Sequence, residues 1–369
     1  MKAAIDEILI ESDASEYRAV AVADGKLVDL AREPVDRRLV PGTIHLARVG
    51  RIVPQVGAFL DLADGLKALL DISGARVPAQ GDLLRVQIVE APSGDKLARA
   101  GTRITLAGRH IVLVPGGKGA SVSKRAAAPK REALQALAGT FHREGEGLVL
   151  RAGAAYAEAG AVADELERLR AQADGLAAGG DVPRMLLADD PFATLLRTLA
   201  PQDVPDFFCD RAETALAARL GLKTLFPEVS GRVAHLRDGG AIFERHGVAD
   251  ILVTLGSARV NLDNGAWLSI EPTAALVAID VNLGRATAEP VSVDMAAARE
   301  IARQIRLRDL GGLVVVDFLR LSKPGERARL IETLKRATTS DRKRIDVLGY
   351  TAGGTIELTR ARSRGGSLD

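Results

Sequence analysis

Residues 275–282 read ALVAIDVN and residues 311–321 read GGLVVVDFLRL. Each is a short run rich in β-branched residues, preceded by Pro or Gly, and each carries an aspartate at its end. The first supplies Asp280, with Asn282 two residues later, and the second supplies Asp317. Continuous apolar runs of this length predict strands buried on both faces. Between them, Met295 to Leu310 places Ala298, Ile301, Ala302 and Ile305 at helical spacing, with Arg299, Arg303 and Arg306 on another face. A right-handed strand–helix–strand crossover ends both strands at one sheet edge, where ligands of open α/β sheets bind. A carboxylate buried there is costly unless it is paired, hydrogen-bonded or bound to a metal. Two of them could share one divalent cation, with arginines near enough to hold phosphates. Spacing alone leaves a second reading open, in which each aspartate only caps a turn.

The rest of the chain narrows the class. Its 369 residues are enough for two to four domains or subdomains. A hydrophobic content of 47% with 27% charged residues is an ordinary balance for a water-soluble protein. Without a run of eighteen apolar residues, a membrane span is not expected. The opening MKAAIDEILIESD has acids inside its apolar stretch, unlike a signal peptide. The single cysteine, Cys209, makes neither an intrachain disulfide nor a Cys-rich zinc site, and a cytoplasmic location is the expectation. Net charge is only +2, yet Arg320 to Asp369 holds twelve Lys or Arg against six Asp or Glu. Beside the aspartate pair, that local excess points to phosphate neutralisation.

Taken in order, residues 2–31 read as three alternating strands of an antiparallel meander. Residues 42–74 and 81–108 carry five short strands with Gly and Pro turns, which suggests a small OB-type barrel. RHIVLVP (109–115) reads as a strand, and the GGKG that follows lacks the spacing of a P-loop. Residues 155–178 read as an amphipathic helix with Ala161, Leu166 and Leu169 inward. Residues 247–273 read as strands with a turn at Asn264-Gly265, and Trp267 reads as hairpin packing. The five histidines stand at no metal-ligand spacing, and there is no Ser-His-Asp or Cys-His pattern.

Two strings, EPTAALVAIDVNLGRAT (271–287) and REIARQIRLRDLGGLVVVDF (299–318), resemble the catalytic segment of the ribonuclease E/G family of endoribonucleases. The match is long and nearly ungapped within each block, and it extends more weakly over most of the chain. It implies an α+β multidomain fold. A ribonuclease H-like subdomain (1–42 and 186–252) would be split by an S1-like OB RNA-binding barrel (43–107) and a 5′-sensor-like region (108–185). A DNase I-like catalytic α/β domain (253–369) would follow. The implied reaction is Mg²⁺-dependent cleavage of single-stranded RNA in RNA processing or decay. Asp280 and Asp317 would hold the ion, with Asn282 completing the catalytic set. Arg285, Arg303 and Arg306 are candidates for phosphate positioning.

The resemblance also assigns residues outside the catalytic segment. Phe59 stands where the family has an RNA-stacking phenylalanine, and Lys96 matches a lysine of the same groove; from the residues alone Phe59 reads as a core aromatic. GEGLVLRAGAA (145–155) matches the 5′-monophosphate sensor and keeps Arg151. The chain departs from the family at several points. Leu69 replaces a second aromatic, Ala152 replaces the sensor threonine, and Arg320 stands where a second acid is usual. The connection after Asn282 is short, and the Cys-Pro-x-Cys zinc link does not occur in the sequence. A zinc-linked tetramer is therefore not expected, while a homodimer through the catalytic domains stays open, since that contact need not involve the link. The alternatives are a non-catalytic RNA-binding relative that keeps the fold, or a structural partner in RNA-processing assemblies.

Overall fold

Ile8, Leu9 and Ile10 are buried at successive positions, and so are Ala19 to Ala23. Successive side chains of a strand point to opposite faces, so these stretches are covered on both sides, where the sequence suggested alternation. They belong to β1 (Glu7–Ser12) and β2 (Glu16–Ala23), which neighbour β3 (Lys26–Pro34) in one sheet. The computed structural model describes residues 4–361 apart from 73–76, 93, 125, 127, 177–179, 201–202, 237–240 and 340. The chain forms two compact units. One comprises residues 1–11, 20–30 and 236–369, the other residues 12–19 and 31–235.

In the second unit, β4 (Ile44–Val53), β5 (Gly57–Asp61), β6 (Lys67–Leu70), β7 (Leu83–Glu90) and β8 (Ala98–Gly101) follow the spatial order β4-β5-β6-β8-β7, and a β4–β7 pairing closes the ring. This is the expected five-stranded barrel. Its interior is small and aliphatic, with Ala47, Val49, Ala58, Leu60, Val86 and Ile88 among its buried residues. Next come β9 (Leu106–Ala107), β10 (Ile111–Pro115), β11 (Ala120–Val122) and β12 (Glu146–Leu150), a four-stranded sheet ordered β11-β12-β10-β9. Helices α1 (Ala128–Phe141) and α2 (Ala159–Leu176) share a core with it. Ala161 is exposed, correcting its inward placement, and Val162 is buried with Leu166 and Leu169. β13 (Arg184–Leu187) pairs with β4. Helices α3 (Pro191–Leu199), α4 (Ala212–Leu225) and α5 (Pro227–Ser230) accompany the parallel pair β14 (Asp206–Cys209) and β15 (Val233–His235).

In the first unit, two helices, α6 (Ile242–Arg245) and α7 (Val248–Leu255), precede the last sheet. The α7 segment DILVTL reads equally as strand or helix by apolar content, and the strand expected there is corrected to a helix. The sheet contains β16 (Arg259–Asn261), β17 (Trp267–Pro272), β18 (Leu276–Asn282), β19 (Gly312–Asp317), β20 (Ile345–Tyr350) and β21 (Ile356–Arg360), ordered β16-β17-β18-β19-β21-β20. The Asn264-Gly265 turn joins the antiparallel pair β16–β17 as predicted, with Gly265 at φ 86°. Helix α8 (Pro290–Leu307) connects the parallel neighbours β18 and β19, and α9 (Pro324–Thr338) connects β19 to β20. Each helix opens with a proline, whose fixed φ and missing N–H suit a first turn.

Val277, Ile279, Val281, Val314 and Val316 pack with Ala298, Ile301 and Ile305 of α8 and with Leu330 and Leu334 of α9. Burying each large aliphatic side chain contributes roughly 1.5–3 kcal/mol. The intervening residues lie on the other face, where Ala278, Asp280 and Asp317 are exposed and Leu313 and Val315 half-buried. The sheet is thus covered on one face among the described residues, and the expectation of strands buried on both faces is corrected. Ala278 and Val315 made the runs look continuous although they point away from the core.

Candidate active site

Asp280 and Asp317 sit directly opposite each other across the parallel pair β18–β19. Neighbouring strands lie about 5 Å apart, and paired residues share a face. Both carboxylates therefore stand together on the open face, at the edge where the two strands end. Both are exposed, which corrects the expectation of a desolvated pair: each keeps its water, and their repulsion is screened. Asn282 Nδ2 donates to Asp280 Oδ2 at 2.7 Å, fixing one oxygen of that carboxylate. Ser269 of β17 pairs with Asp280 from the other side. Among the described residues, no group of three or more His, Cys, Asp or Glu side chains could hold a metal. Two exposed carboxylates instead suit one hard divalent ion that keeps several of its waters.

The surrounding backbone is held closely. Gly284 has φ 57°, and a Cβ there would lie 2.5 Å from the Gly265 carbonyl oxygen and 3.0 Å from Trp267 Cδ1. Arg285 N–H donates to that same carbonyl at 3.0 Å, so the connection after Asn282 is stapled to the β16–β17 turn. The Arg285 side chain is exposed. Trp267, paired with Asn282, carries the Arg259 guanidinium 4.3 Å over its ring; it packs as expected, but on the carboxylate face. Asp294, which sequence reasoning missed, lies in the first turns of α8 and is fully buried. Its Oδ1 accepts the Leu319 N–H at 3.1 Å, tying down the chain two residues after Asp317. Its Oδ2 has no hydrogen-bond partner, and burial pushes the carboxyl up to about 7.

Arg303 and Arg306 are not brought to the carboxylates. They sit in the last turns of α8, roughly 20 Å along the helix from Pro290, whereas α8 starts at the edge where Asp280 lies. Arg303 Nη1 donates to Glu300 Oε1 at 2.9 Å, and Arg306 Nε donates to the Val28 carbonyl at 2.9 Å. Arg320 lies beyond the end of β19 and is exposed.

On the barrel, Phe59 is half-buried between the wholly buried Ala58 and Leu60. It therefore points outward, and the core-aromatic reading fails. Leu69 lies opposite it on β6, and Arg99 lies beside Leu69 on β8. Lys96 is exposed just before β8. Farther along, Arg151 follows β12; its N–H donates to the His110 carbonyl and its Nη1 to the Gly108 carbonyl, both at 2.8 Å. Glu165, buried on α2, accepts from the His110 and Ile111 backbone N–H groups and contacts His110 Nδ1 at 2.9 Å. A Cβ at Gly108 would meet the Glu165 carboxylate, which would have to shift to make room. Ala152 opens a short 3₁₀ turn and offers no side-chain donor.

The ribonuclease E/G family model matches residues 105–363. Ribonuclease G of Escherichia coli K12 is 28% identical over 391 aligned residues, covering 97% of this chain and 80% of that protein. Ribonuclease G of Haemophilus influenzae is 28% identical with the same coverage. Ribonuclease E of Nostoc sp. is 30% identical over 354 residues, covering 87% of this chain and 51% of the relative. The family model spans most of the chain, including the segment that carries Asp280 and Asp317, and the relatives align over nearly all of it, so the chain belongs to the ribonuclease E/G family.

Proposed function

We propose that the protein is a cytoplasmic, Mg²⁺-dependent endoribonuclease that cleaves single-stranded RNA at the β18–β19 edge. The observation that carries this reading is the register pairing of Asp280 with Asp317 on an open sheet face, with Asn282 bonded to the first. Asp280 and Asp317 would hold the ion. When bound, Mg²⁺ polarises a phosphoryl oxygen and lowers the pKa of its water. The chain's own residues do the rest. Asn282 fixes one oxygen of Asp280, leaving the other free. The uncovered sheet face gives an extended strand room to reach the pair. Arg285 stands exposed on a stapled loop, where it can take a flanking phosphate. In the hydrolysis, water attacks phosphorus, one P–O ester bond breaks, and the departing oxygen takes up a proton.

The barrel would grip the strand through Phe59, with Lys96 as a phosphate contact, and Leu69 opposite Phe59 withholds the second stack. Arg151 would meet the 5′ end with weak discrimination, because Ala152 supplies no hydroxyl. The same reading assigns residues 253–369 to a DNase I-like catalytic domain and residues 1–42 and 186–252 to a ribonuclease H-like subdomain. It also includes a homodimer through the catalytic domains. Cys209 is wholly buried, so it cannot be shared in a thiolate site between chains.

A Mg²⁺ titration of cleavage of a labelled single-stranded RNA tests the proposal. Asp280→Asn and Asp317→Asn should each lower the rate by at least about 100-fold while leaving RNA affinity near wild type. Asn282→Ala, which loses only an orienting contact, should cost about 10–100-fold. Wild-type rates in both aspartate variants would place the active site elsewhere. A wild-type protein that binds RNA without cleaving it would favour the non-catalytic RNA-binding reading.

A further inference from the structure

We propose that the cleft between α8 and α9 is a second phosphate-binding site, which holds the sugar–phosphate backbone of the RNA strand away from the point of cleavage; this rests on the RNA-substrate reading above. The cleft has a volume of about 400 Å³, and Arg299 of α8 and Arg329 and Arg336 of α9 line it together with Ser292, Glu332 and Thr333. All three arginines are exposed. None of their guanidinium groups has an ion-pair or hydrogen-bond partner among the described residues, Glu332 included. Neighbouring arginines of this unit are engaged: Arg303 with Glu300, Arg308 with Gln304, and Arg360 with Asp309 and Asp341. Arginines without partners thus converge on one concavity.

Three arginines against the one carboxylate of Glu332 leave the cleft with a net positive charge of two, which an anion can neutralise. A guanidinium is planar, always charged, and matches phosphate oxygens in pairs. Thr333 gives its hydroxyl to Met295 Sδ at 3.1 Å, which leaves the arginines as the main donors. From Val291 to Arg299 the α8 wall runs about 12 Å, a length suited to a chain of phosphates. The site is separate from the carboxylate pair, because α8 and α9 pack on the valine face of the sheet and Asp280 and Asp317 occupy the other. α8 nevertheless starts at the edge where β18 ends, so a strand leaving the carboxylates passes the mouth of the cleft. Backbone contacts of this kind are indifferent to base sequence.

The test measures affinity for a labelled single-stranded oligoribonucleotide over a range of salt concentrations, without Mg²⁺ so that the RNA stays intact. Arg299→Gln/Arg329→Gln/Arg336→Gln is compared with wild type and with Lys335→Gln, an exposed α9 lysine outside the cleft. Each arginine that neutralises a phosphate contributes about 0.7 to the slope of log affinity against log salt, so the triple variant should lose about 2 from that slope and bind at least about tenfold more weakly, with Lys335→Gln near wild type. A slope and affinity unchanged in the triple variant, while Phe59→Ala still weakens binding, would overturn the cleft proposal and leave the RNA reading standing. Loss of free tripolyphosphate binding in the triple variant with RNA binding intact would overturn the RNA assignment of the cleft. Failure of the wild type to bind RNA would overturn the substrate reading and this proposal together.

Discussion

Asp294→Asn tests how far the buried carboxyl behind the edge that carries Asp280 and Asp317 governs stability. In the folded chain, burial pushes Asp294 up to about 7 from an ordinary 3.8. The folded state therefore holds a proton that the unfolded state releases between those values. Stability is highest below the unfolded pKa, falls as pH rises through the window, and levels off above about 7. The shift spans about three units at about 1.4 kcal/mol each, which sets a ceiling near 4 kcal/mol. Roughly two of those units lie above pH 5, so between about pH 5 and about pH 8 the variant should gain about 3 kcal/mol relative to wild type. The side-chain oxygen of asparagine can still accept the Leu319 N–H. Its NH₂ replaces an oxygen that has no partner, and an unsatisfied buried donor costs about 1–3 kcal/mol at every pH. The net gain at high pH is thus smaller than the pH-dependent difference. Urea unfolding of both proteins at the two pH values, with matched slopes, gives the comparison. Wild-type and variant stabilities that run parallel from pH 5 to pH 8 would show that Asp294 titrates like a surface carboxylate, and the argument would fail.

Other outcomes follow from the same geometry. Arg360 is wholly buried and bonds Asp309, Asp341 and the Leu310 carbonyl, so Arg360→Met, which leaves the buried Asp341 carboxylate with the Lys343 backbone N–H but no guanidinium, should cost about 3 kcal/mol in chemical unfolding. Phe59→Ala should weaken single-stranded RNA binding by about 1–3 kcal/mol without altering its salt slope, because a stack is lost and no charge; unchanged affinity would remove Phe59 from the RNA surface. If the proposed 5′-end role of Arg151 holds, Ala152 beside it supplies no hydroxyl, so substrates bearing a 5′-monophosphate and a 5′-hydroxyl should be cleaved within about tenfold of each other, or 1.4 kcal/mol, and a larger preference would show that Arg151 and the backbone suffice.

Much of the unit that carries the carboxylate pair was legible in residues 275–321. Apolar runs separated by a helical period can form a strand, a helix and a parallel strand, and that connection forces Asp280 and Asp317 to one edge. The five barrel strands could likewise be read, because turn residues at short intervals leave few other ways to pair strands. Burial could not be read in the same way. A run such as LVVV has the same composition whether one face of its sheet is covered or both, and only the packing of α8 and α9 on one side left Asp280 and Asp317 in water. The distant neighbours of the arginines were also beyond the sequence. Arg299, Arg303 and Arg306 look alike as a basic helix face. Arg303 takes Glu300, three residues back on the same helix, a local pairing; tertiary structure gave Arg306 the Val28 carbonyl and set Arg299 beside two arginines of another helix. Asp294 was hidden for the same reason. Whether a carboxyl in the second turn of a helix meets solvent or the amide of Leu319 depends on residues distant in sequence, and local pattern carries no record of them.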